Sequence, residues 1–411
     1  MNPRQFGAVF RRACEVLAVT AILISVSQAA TYKRLYNFTG GADGGDPATR
    51  LTFDAAGNAY GTTAAGGDYG FGTVFMLTPS GQQKVLYSFT GGGDGLDPHG
   101  GVTLDSAGNL YGTTVAGGSG GICAGDGCGV VFELTPSGGT WTETTLYSFK
   151  GGNDGFGPGS GVVFDSAGNL YGTTPDGGAH SAGVVYELSA GKQGWTQKVI
   201  HAFTGGKDGA VGSLGLLLFD AVGNLYGVSE LGGAHGAGAV YELSPTSRGR
   251  WELTVLYGFK GTPDGANPYG GLIFDKAGNL YGTTYYGGQN GMGSIFQLTP
   301  GPNGSWQENL LYSFQGGTDG SLPTTTLIFD ATGRLYGTTS TGGRPSCDCG
   351  TVFRLTLSGG AWNEKILHLF GRSHDGSYPN YGLTFDQAGN LWGTTPVGGD
   401  GGQGVIFQLT P

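Results

Sequence analysis

Short runs rich in β-branched and aromatic residues alternate along the chain with short runs of Gly, Pro, Asp and Asn. Between residues 161 and 203 four apolar runs follow one another in this way: GVVFD, NLYGTT, GVVYEL and WTQKVIHAF. Short runs of this composition, bounded by turn-forming residues, are typical of β-strands joined by hairpins. The pattern therefore predicts four antiparallel strands in this part of the chain.

The same four-strand pattern recurs with a period of about 55 residues, which is typical of a β-repeat array. In its motif FD-x-x-GNLYGTT, the aspartate accepts hydrogen bonds from the backbone ahead of it, and the glycine takes the positive φ that closes a short hairpin. The aspartate occurs at Asp54, Asp105, Asp165, Asp220, Asp275, Asp330 and Asp386. Because a catalyst needs one special carboxylate and not seven equivalent ones, we interpret these aspartates as turn residues.

The two ends of the chain indicate that the repeats close into a ring. Segments resembling LYSF form the fourth strand of each unit, and the first copy, at 35–38, precedes every other strand. The last unit ends at VIFQLTP (405–411) and lacks this fourth strand. In a ring the N-terminal segment TYKRLYNF completes the last unit, whereas an open stack would need polar caps at both ends. We therefore predict an all-β, seven-bladed β-propeller with four antiparallel strands per blade, 28 in all, in which the N-terminal strand completes the last blade.

The unit GLIFDKAGNLYGTTYYGGQNGMGSIFQLTP (271–300) resembles the Gly-rich GloVer tandem repeat of exported bacterial proteins. The resemblance covers essentially the whole chain after residue 30, seven times over. It implies secretion and a repeat architecture, and it implies no particular reaction or site residue. Many such proteins carry a C-terminal anchoring segment, whereas this sequence ends at Pro411 within its last strand, so we do not expect an anchor of that kind.

The first 30 residues have the layout of a secretory signal peptide. Arg4, Arg11 and Arg12 precede an apolar run, CEVLAVTAILISV, that ends in SQAA, and this order of basic, apolar and small residues is that of a cleaved signal. A retained membrane helix is the alternative, but the run is short for a span of about 20 residues. We expect cleavage near Ala29 or Ala30, one propeller domain at 31–411, and a secreted or periplasmic protein without a membrane span.

The chain is glycine-rich and acidic, with 87 Gly among 411 residues and a net charge of −10. Such a surface repels phosphate backbones, so we do not expect nucleic-acid binding. Four cysteines follow residue 30, and an even number in an exported protein is typical of disulfides. We expect Cys123 to pair with Cys128 and Cys347 with Cys349; a thiolate metal site is the alternative, and it requires the two pairs to meet in space.

The loops of the predicted propeller fall on two faces if the GLIFD strand lies nearest the axis. The Asp-x-x-Gly turns and the turns before Trp141, Trp195, Trp251, Trp306 and Trp362 lie on one face. The loops after TT and the GG-x-DG loops lie on the other face, which carries all the length variation. Variable loops on a rigid scaffold are where binding usually occurs, so we expect the functional site on this second face.

The GG-x-DG loops of this face carry one acidic residue each. The set is Asp43, Asp94, Asp154, Asp208, Asp264, Asp319 and Asp375. One interpretation is a ring that attracts a cation such as calcium at the mouth of the propeller, because hard cations bind clustered oxygen ligands. The other is a set of Asp-Gly turns stabilised by side-chain to backbone hydrogen bonds, and the sequence favours it because no Asp-x-Asp-x-Asp loop is present.

Five tyrosines on the same face depart from the repeat consensus: Tyr269, Tyr285 and Tyr286 in the fifth unit, and Tyr378 and Tyr381 in the seventh. Exposed aromatic faces stack on sugar rings or anchor protein partners, although isolated surface tyrosines are also common. The two groups lie two blades apart, a separation that one large ligand could bridge. We treat these tyrosines as candidate ligand-binding residues.

Two histidines occupy equivalent loops, His180 in GGAHSAG and His235 in GGAHGAG, with Asp176 and Glu230 nearby in sequence. Two histidines and two carboxylates form a donor set for zinc or another transition metal. The common origin of the two loops explains the pair equally well without a metal. We predict no cofactor, with calcium or a transition metal as the alternative.

The sequence contains no Gly-x-Ser-x-Gly, HExxH or phosphate-loop motif. We therefore expect an exported, monomeric binding or scaffold propeller that presents one loop face to a polysaccharide or an extracellular protein. A metal-assisted lyase or hydrolase that acts on carbohydrates at the central mouth is the alternative. A structural component of the cell envelope is a third hypothesis, for which the low charge and glycine-rich loops are suitable.

Overall fold

Seven antiparallel sheets of four main strands each surround a central axis as the blades of a β-propeller. The computed structural model describes residues 30–411 apart from residues 124, 213–214 and 373, so residues 1–29 of the predicted signal peptide lie outside the described residues. Within a blade the strands pair in chain order, and every pair is antiparallel. The predicted fold class is confirmed.

The strand bounds show short inner strands and longer outer ones. In chain order the strands are β1 (Thr31–Asn37); β2 (Thr52–Phe53), β3 (Ala59–Thr63), β4 (Thr73–Leu77) and β5 (Gln83–Ser88) in the first blade; β6 (Val102–Leu104), β7 (Leu110–Thr114), β8 (Val130–Ser137) and β9 (Thr140–Ser148) in the second; β10 (Val163–Phe164), β11 (Leu170–Thr174), β12 (Val184–Gly191) and β13 (Gly194–Ala202) in the third; β14 (Ala210–Gly212), β15 (Leu218–Phe219), β16 (Leu225–Leu231), β17 (Ala239–Pro245) and β18 (Trp251–Gly258) in the fourth; β19 (Gly265–Pro268), β20 (Ile273–Phe274), β21 (Leu280–Gly287), β22 (Ser294–Pro300) and β23 (Trp306–Ser313) in the fifth; β24 (Ile328–Phe329), β25 (Leu335–Thr339), β26 (Thr351–Ser358) and β27 (Ala361–Leu369) in the sixth; and β28 (Leu383–Phe385), β29 (Leu391–Thr395) and β30 (Val405–Thr410) in the seventh.

Two short strands, β14 and β19, add a fifth member to the fourth and fifth sheets. They arise because β16 and β21 continue beyond the length of their counterparts and pair with the preceding loop. In other blades the same contact is a single bridge, such as that between Gly45 and Ala65. The predicted four strands per blade are therefore present, with these two additions. The described residues also contain three short 3₁₀ turns, at Gly152–Asp154, Pro302–Gly304 and Gly317–Asp319, and no helix among them has the length and apolarity that crossing a membrane requires.

The ring closes through the N-terminal strand. Strand β1 pairs antiparallel with β30, from Thr31 opposite Thr410 to Asn37 opposite Val405. The seventh sheet thus has the order β1-β30-β29-β28. A hydrogen bond from Thr384 Oγ1 to the carbonyl oxygen of Leu51 (2.8 Å) joins the seventh blade to the first. The predicted completion of the last blade by the N-terminal strand is confirmed.

Each aspartate of the FD-x-x-GN motif organises the turn between the first two strands of its blade. In the third blade Asp165 Oδ1 accepts hydrogen bonds from the backbone N–H groups of Ala167 (2.8 Å) and Asn169 (2.9 Å). Its Oδ2 accepts from the Asn169 side chain (2.8 Å) and from the Tyr171 hydroxyl (3.1 Å). Although burial opposes the shift, these bonds lower the pKa of Asp165. This geometry agrees with the interpretation of the motif as turn chemistry.

The hydrophobic core consists of seven clusters, each lying between two neighbouring blades. In every cluster the phenylalanine of the LYSF-type segment packs edge-on against an aromatic ring of the third strand in the next blade. Between the fourth and fifth blades, Phe259 and Phe296 have ring centroids 5.0 Å apart. A Cβ at Gly282 would lie 2.6 Å from Phe296 Cζ. This close approach explains why LYGTT, a strand segment, carries a glycine.

Threonine side chains link the innermost strands of neighbouring blades. Thr52 Oγ1 donates to the carbonyl oxygen of Val102, and Thr103 Oγ1 donates to that of Val162, both at 2.6 Å. The GLIFD-type strands therefore lie nearest the axis, as the assignment of the loop faces assumed. The segments that lead into these strands converge at the centre of one face.

Candidate ligand-binding site

A cavity of about 600 Å³ lies where the segments entering the inner strands meet. The ends of the second strands in the fourth and fifth blades, and the loop after the second strand of the sixth, form the rest of its wall. The lining side chains with polar groups are Arg50, His99, Ser160, Glu230, Tyr269, Tyr285, Thr324, Thr325, Thr326, Ser340, Thr341, Tyr378, Asn380 and Tyr381. The cavity thus belongs to the face on which the variable loops were predicted.

The lining is the part of the repeat that differs most from blade to blade. The segments from a shared proline to the inner strand read PATR, PHGG, PGSG, PYGG, PTTT and PNYG in six of the blades. In the loops after the second strand, Glu230 and Tyr285 stand where the first two blades have Ala64 and Val115. The residues that build the blades recur, whereas those that face the cavity are specific to one blade.

Four of the five predicted tyrosines line this cavity together: Tyr269, Tyr285, Tyr378 and Tyr381. The rings of Tyr269 and Tyr285 have centroids 6.1 Å apart. The fifth, Tyr286, is 48% exposed and packs edge-on against Tyr285 with centroids 4.6 Å apart. The two groups that the sequence placed two blades apart therefore contribute to one aromatic wall.

Burial raises the pKa of two of these phenols, Tyr269 and Tyr381, further above neutral pH. Burial, together with the nearby Glu230 carboxylate and Tyr285, raises the pKa of Tyr269 to about 12. Burial and the charge of Asp46 raise the pKa of Tyr381 well above its usual range. The tyrosines therefore offer neutral hydroxyl groups, each a donor and an acceptor, beside flat apolar rings.

Arg50 brings a guanidinium group to the same cavity. Its Nε donates to Thr384 Oγ1 at 3.3 Å, and it forms no ion pair with a carboxylate of the described residues 30–123, 125–212, 215–372 and 374–411. Burial lowers the pKa of this guanidinium, although an arginine remains charged at neutral pH. Sequence reasoning missed this residue; its signal was a charged side chain in a segment where the other blades have none.

His99 brings a second polar side chain to the cavity, and two aspartates outside the lining act on it. His99 Nδ1 lies 2.8 Å from Asp97 Oδ1, and the rings of His99 and Tyr381 have centroids 6.2 Å apart. Burial lowers the pKa of His99, but contact with Asp97 and the charge of Asp46 outweigh it, so that the pKa is raised. Burial raises the pKa of Asp46, and its Oδ1 has no hydrogen-bond partner among the described residues.

Glu230 extends from the end of β16 into the cavity wall beside Tyr269 and Tyr285. Burial raises the pKa of its carboxyl group. The sequence associated Glu230 with His235, whereas the structure places it among the tyrosines. The cavity therefore has a cationic group and an acidic group on different blades, with hydroxyl and amide groups between them.

The seven acidic residues of the GG-x-DG loops are bonded within their own loops. Each carboxylate accepts from a tyrosine hydroxyl, or contacts a histidine ring nitrogen, seven residues earlier in the chain. Asp94, for example, accepts from Tyr87 OH (2.9 Å) and from the backbone N–H of Thr90 (2.7 Å). None of the seven is among the described residues that line the cavity. This arrangement supports the Asp-Gly turn interpretation that the sequence favoured.

The candidate metal ligands lie away from the cavity. His180 and His235 are both exposed on the loops between the second and third strands of their blades. No group of three or more His, Cys, Asp and Glu side chains among the described residues has an arrangement that could hold a metal ion. The cysteines form the two predicted disulfides, Cys123 with Cys128 and Cys347 with Cys349, with Cα atoms 5.4 and 5.2 Å apart.

Fold and cavity together define a seven-bladed β-propeller with a tyrosine-lined axial pocket. The chain belongs to the Gloeobacter/Verrucomicrobia repeat family, which matches residues 20–127, 120–346 and 252–411. This match confirms the resemblance seen in the sequence. No curated protein matches the chain.

Solved structures are similar to the chain at low sequence identity. The chain is similar to the extracellular domain of a one-component system of B. thetaiotaomicron, with 13% identity, a TM-score of 0.53, and coverage of 92% of this chain and 42% of that one. It is also similar to an oxidoreductase (glucose dehydrogenase) of Thermus thermophilus, with 15% identity, a TM-score of 0.45, and coverage of 93% and 100%. At these identities the similarity concerns the fold alone.

Proposed function

We propose that this protein is an exported, secreted or periplasmic, binding propeller whose axial cavity holds a segment of a polysaccharide. The observation that carries the proposal is the convergence of four tyrosines from two blades on one cavity. A volume of about 600 Å³ lies within the range of roughly 300–1,000 Å³ that is typical of ligand pockets. The two disulfides agree with an oxidising compartment.

The chemistry of the wall suits sugar rings. A pyranose presents C–H groups on its faces and hydroxyl groups around its rim. The flat tyrosine rings match the faces. The hydroxyl group of Ser160 and the amide group of Asn380 match the rim because they can both donate and accept hydrogen bonds, and the carboxyl group of Glu230 accepts them there.

The fold itself does not require these tyrosines. Repeated residues such as Phe259 and Phe296 form the core between blades, and other blades fill the position of Tyr285 with Ala64 or Val115. Large amphipathic side chains that are not needed for packing, yet line a concave site, are characteristic of binding surfaces.

The experiment is a screen of extracellular polysaccharides, followed by titration calorimetry with oligosaccharides of the best ligand. We expect binding by the wild type and a loss of at least about tenfold in the Tyr269→Ala/Tyr285→Ala variant, since stacked aromatic side chains dominate such sites. The matched control is Tyr69→Ala, because Tyr69 is 60% exposed and lies outside the cavity. Absence of binding to every polysaccharide, or unchanged affinity in the double variant, would contradict the proposal. Assays for reducing ends and unsaturated products on the same samples, with and without chelator, test the alternative of a lyase or hydrolase.

A further inference from the structure

We propose, resting on the function proposed above, that the cavity selects acidic sugars and that the Arg50 guanidinium binds the carboxylate of a uronic acid unit. The inference concerns a residue that the blades do not share. Directly before the inner strand, where the first blade has Arg50, four others have glycine: Gly101, Gly161, Gly271 and Gly382. The fold therefore accepts the smallest residue at this position, so the arginine is not required to build a blade.

Arg50 is partly buried; a guanidinium group that is withdrawn from water without a countercharge is costly, and such groups in proteins are normally paired. The Nε–H of Arg50 donates to Thr384 Oγ1, and no carboxylate of the described residues forms an ion pair with the guanidinium group. Its remaining donors form a planar fork that matches both oxygens of a carboxylate. A ligand carboxylate would supply the partner that the described residues do not.

Neither the acidic residue of the lining, Glu230, nor the aspartates beside His99 supply this partner. Asp97 is engaged by His99 at 2.8 Å, and Asp46 acts electrostatically on His99 and Tyr381. Burial raises the pKa of the Glu230 carboxyl group, and this group forms no ion pair with Arg50. Arg50 is therefore the group in the described lining that is suited to a ligand anion.

The overall charge of the protein determines how an anion must be held. With a net charge of −10, the surface repels anions at long range, so a short-range contact has to provide the affinity for a carboxylate. A direct bidentate pair between the Arg50 guanidinium and the carboxylate of one uronic acid unit is such a contact. The tyrosine faces beside it suit the pyranose rings of that chain better than the extended backbone of a peptide.

The test is titration calorimetry of the folded protein with trimers of galacturonate, glucuronate and mannuronate, each as the free acid and as the uncharged methyl ester. We expect at least one free acid to bind roughly tenfold to a hundredfold more tightly than its ester, since a charge-assisted bidentate pair contributes that much. Arg50→Met should abolish this difference, and Arg50→Lys should keep part of it. The matched control, Arg248→Met, alters an exposed arginine outside the cavity and should keep all of it.

Each result decides between the two proposals. Equal binding of acid and ester overturns the acidic-sugar inference and leaves polysaccharide binding intact. Binding of no sugar overturns both. Tighter binding of a tripeptide carboxylate than of any uronate, with the same dependence on Arg50, assigns the site to peptides and overturns the inference. If Arg50→Met does not fold, the acid-to-ester ratio of the wild type and of Arg50→Lys decides.

Discussion

Replacement of Glu364 by glutamine should stabilise the propeller at alkaline pH and leave it unchanged at acid pH. The position lies six residues before the phenylalanine of the LYSF-type segment. In the first and third blades it is Gln83 and Gln197, whose side-chain Nε2 atoms donate to the backbone carbonyl oxygens of Asp43 (3.1 Å) and Asp154 (3.2 Å). A carboxylate at the same position cannot donate this hydrogen bond.

The surroundings of Glu364 favour the protonated form of its carboxyl group. Burial, and then repulsion from Asp319, raise the pKa of Glu364 from 4.5 to about 8. Its Oε1 is buried and has no hydrogen-bond partner among the described residues. Glu143 and Glu308 occupy equivalent positions beside Asp94 and Asp264, and burial followed by the same repulsion raises the pKa of each to about 7.

The size of the effect follows from this pKa. A shift of about 3.5 corresponds to about 5 kcal/mol at full strength, and screening of this half-buried group by solvent reduces it to about 1–2 kcal/mol. Because the folded-state pKa is raised, the contribution of the protonated acid is complete below about pH 4.5 and is lost as the pH rises through about 8. Glutamine keeps the donor at every pH, so Glu364→Gln should gain about 1–2 kcal/mol at pH 9 and nothing at pH 4.

Chemical unfolding at pH 4 and pH 9 measures this difference. The matched control is Glu252→Gln, because Glu252 is exposed on the outer strand of the fourth blade, and it should change stability little at either pH. A gain of the same size at both pH values, or a loss at pH 9, would refute the idea that Glu364 acts as a protonated donor between strand and loop.

Two further predictions use the repeats as internal controls. Tyr186 has a buried hydroxyl without a hydrogen-bond partner among the described residues, at a position where five blades have phenylalanine. Tyr186→Phe should therefore leave the free energy of unfolding unchanged or raise it by up to about 1 kcal/mol, whereas Tyr171→Phe, which removes the bond to Asp165 (3.1 Å), should lower it by about 1 kcal/mol. Equal losses in both variants would contradict this prediction. Gly282→Ala should lower the free energy of unfolding by about 1–3 kcal/mol, because the new methyl group overpacks the core against Phe296. Gly93→Ala, at a site with no atom within 4 Å of the new Cβ, should leave it unchanged in the same unfolding assay. An unchanged free energy of unfolding in Gly282→Ala would contradict the close packing against Phe296.

The fold could be predicted from the sequence because the interactions that determine it are local and recur in every repeat. The turn aspartates bond to partners two to six residues ahead of them, as Asp165 does with Ala167, Asn169 and Tyr171. Ring closure could be predicted because the strand that is missing from the end of the chain is present at its beginning. The extra strands β14 and β19 could not be predicted, since they depend on how far the second strand of the blade continues beyond its length in the other repeats.

The site was only partly readable because it is made by contacts between distant blades. Repeat spacing assigned Tyr381 to the seventh unit, but the separation of 6.2 Å between its ring and that of His99 depends on how close the inner strands lie to the axis. The acidic ring had a local signal, because a tyrosine or histidine stands seven residues before each of its members, as Tyr87 does before Asp94. Arg50 was missed because a single departure from a repeat has no periodicity to reveal it.

A crystal structure of the protein with the tightest-binding uronate trimer tests the central claim most directly. The account predicts a sugar ring against Tyr269 or Tyr285 and a carboxylate within hydrogen-bond distance of the Arg50 guanidinium, inside the axial cavity. A trimer bound on an outer loop or on the opposite face, with the axial cavity left to solvent, would contradict it.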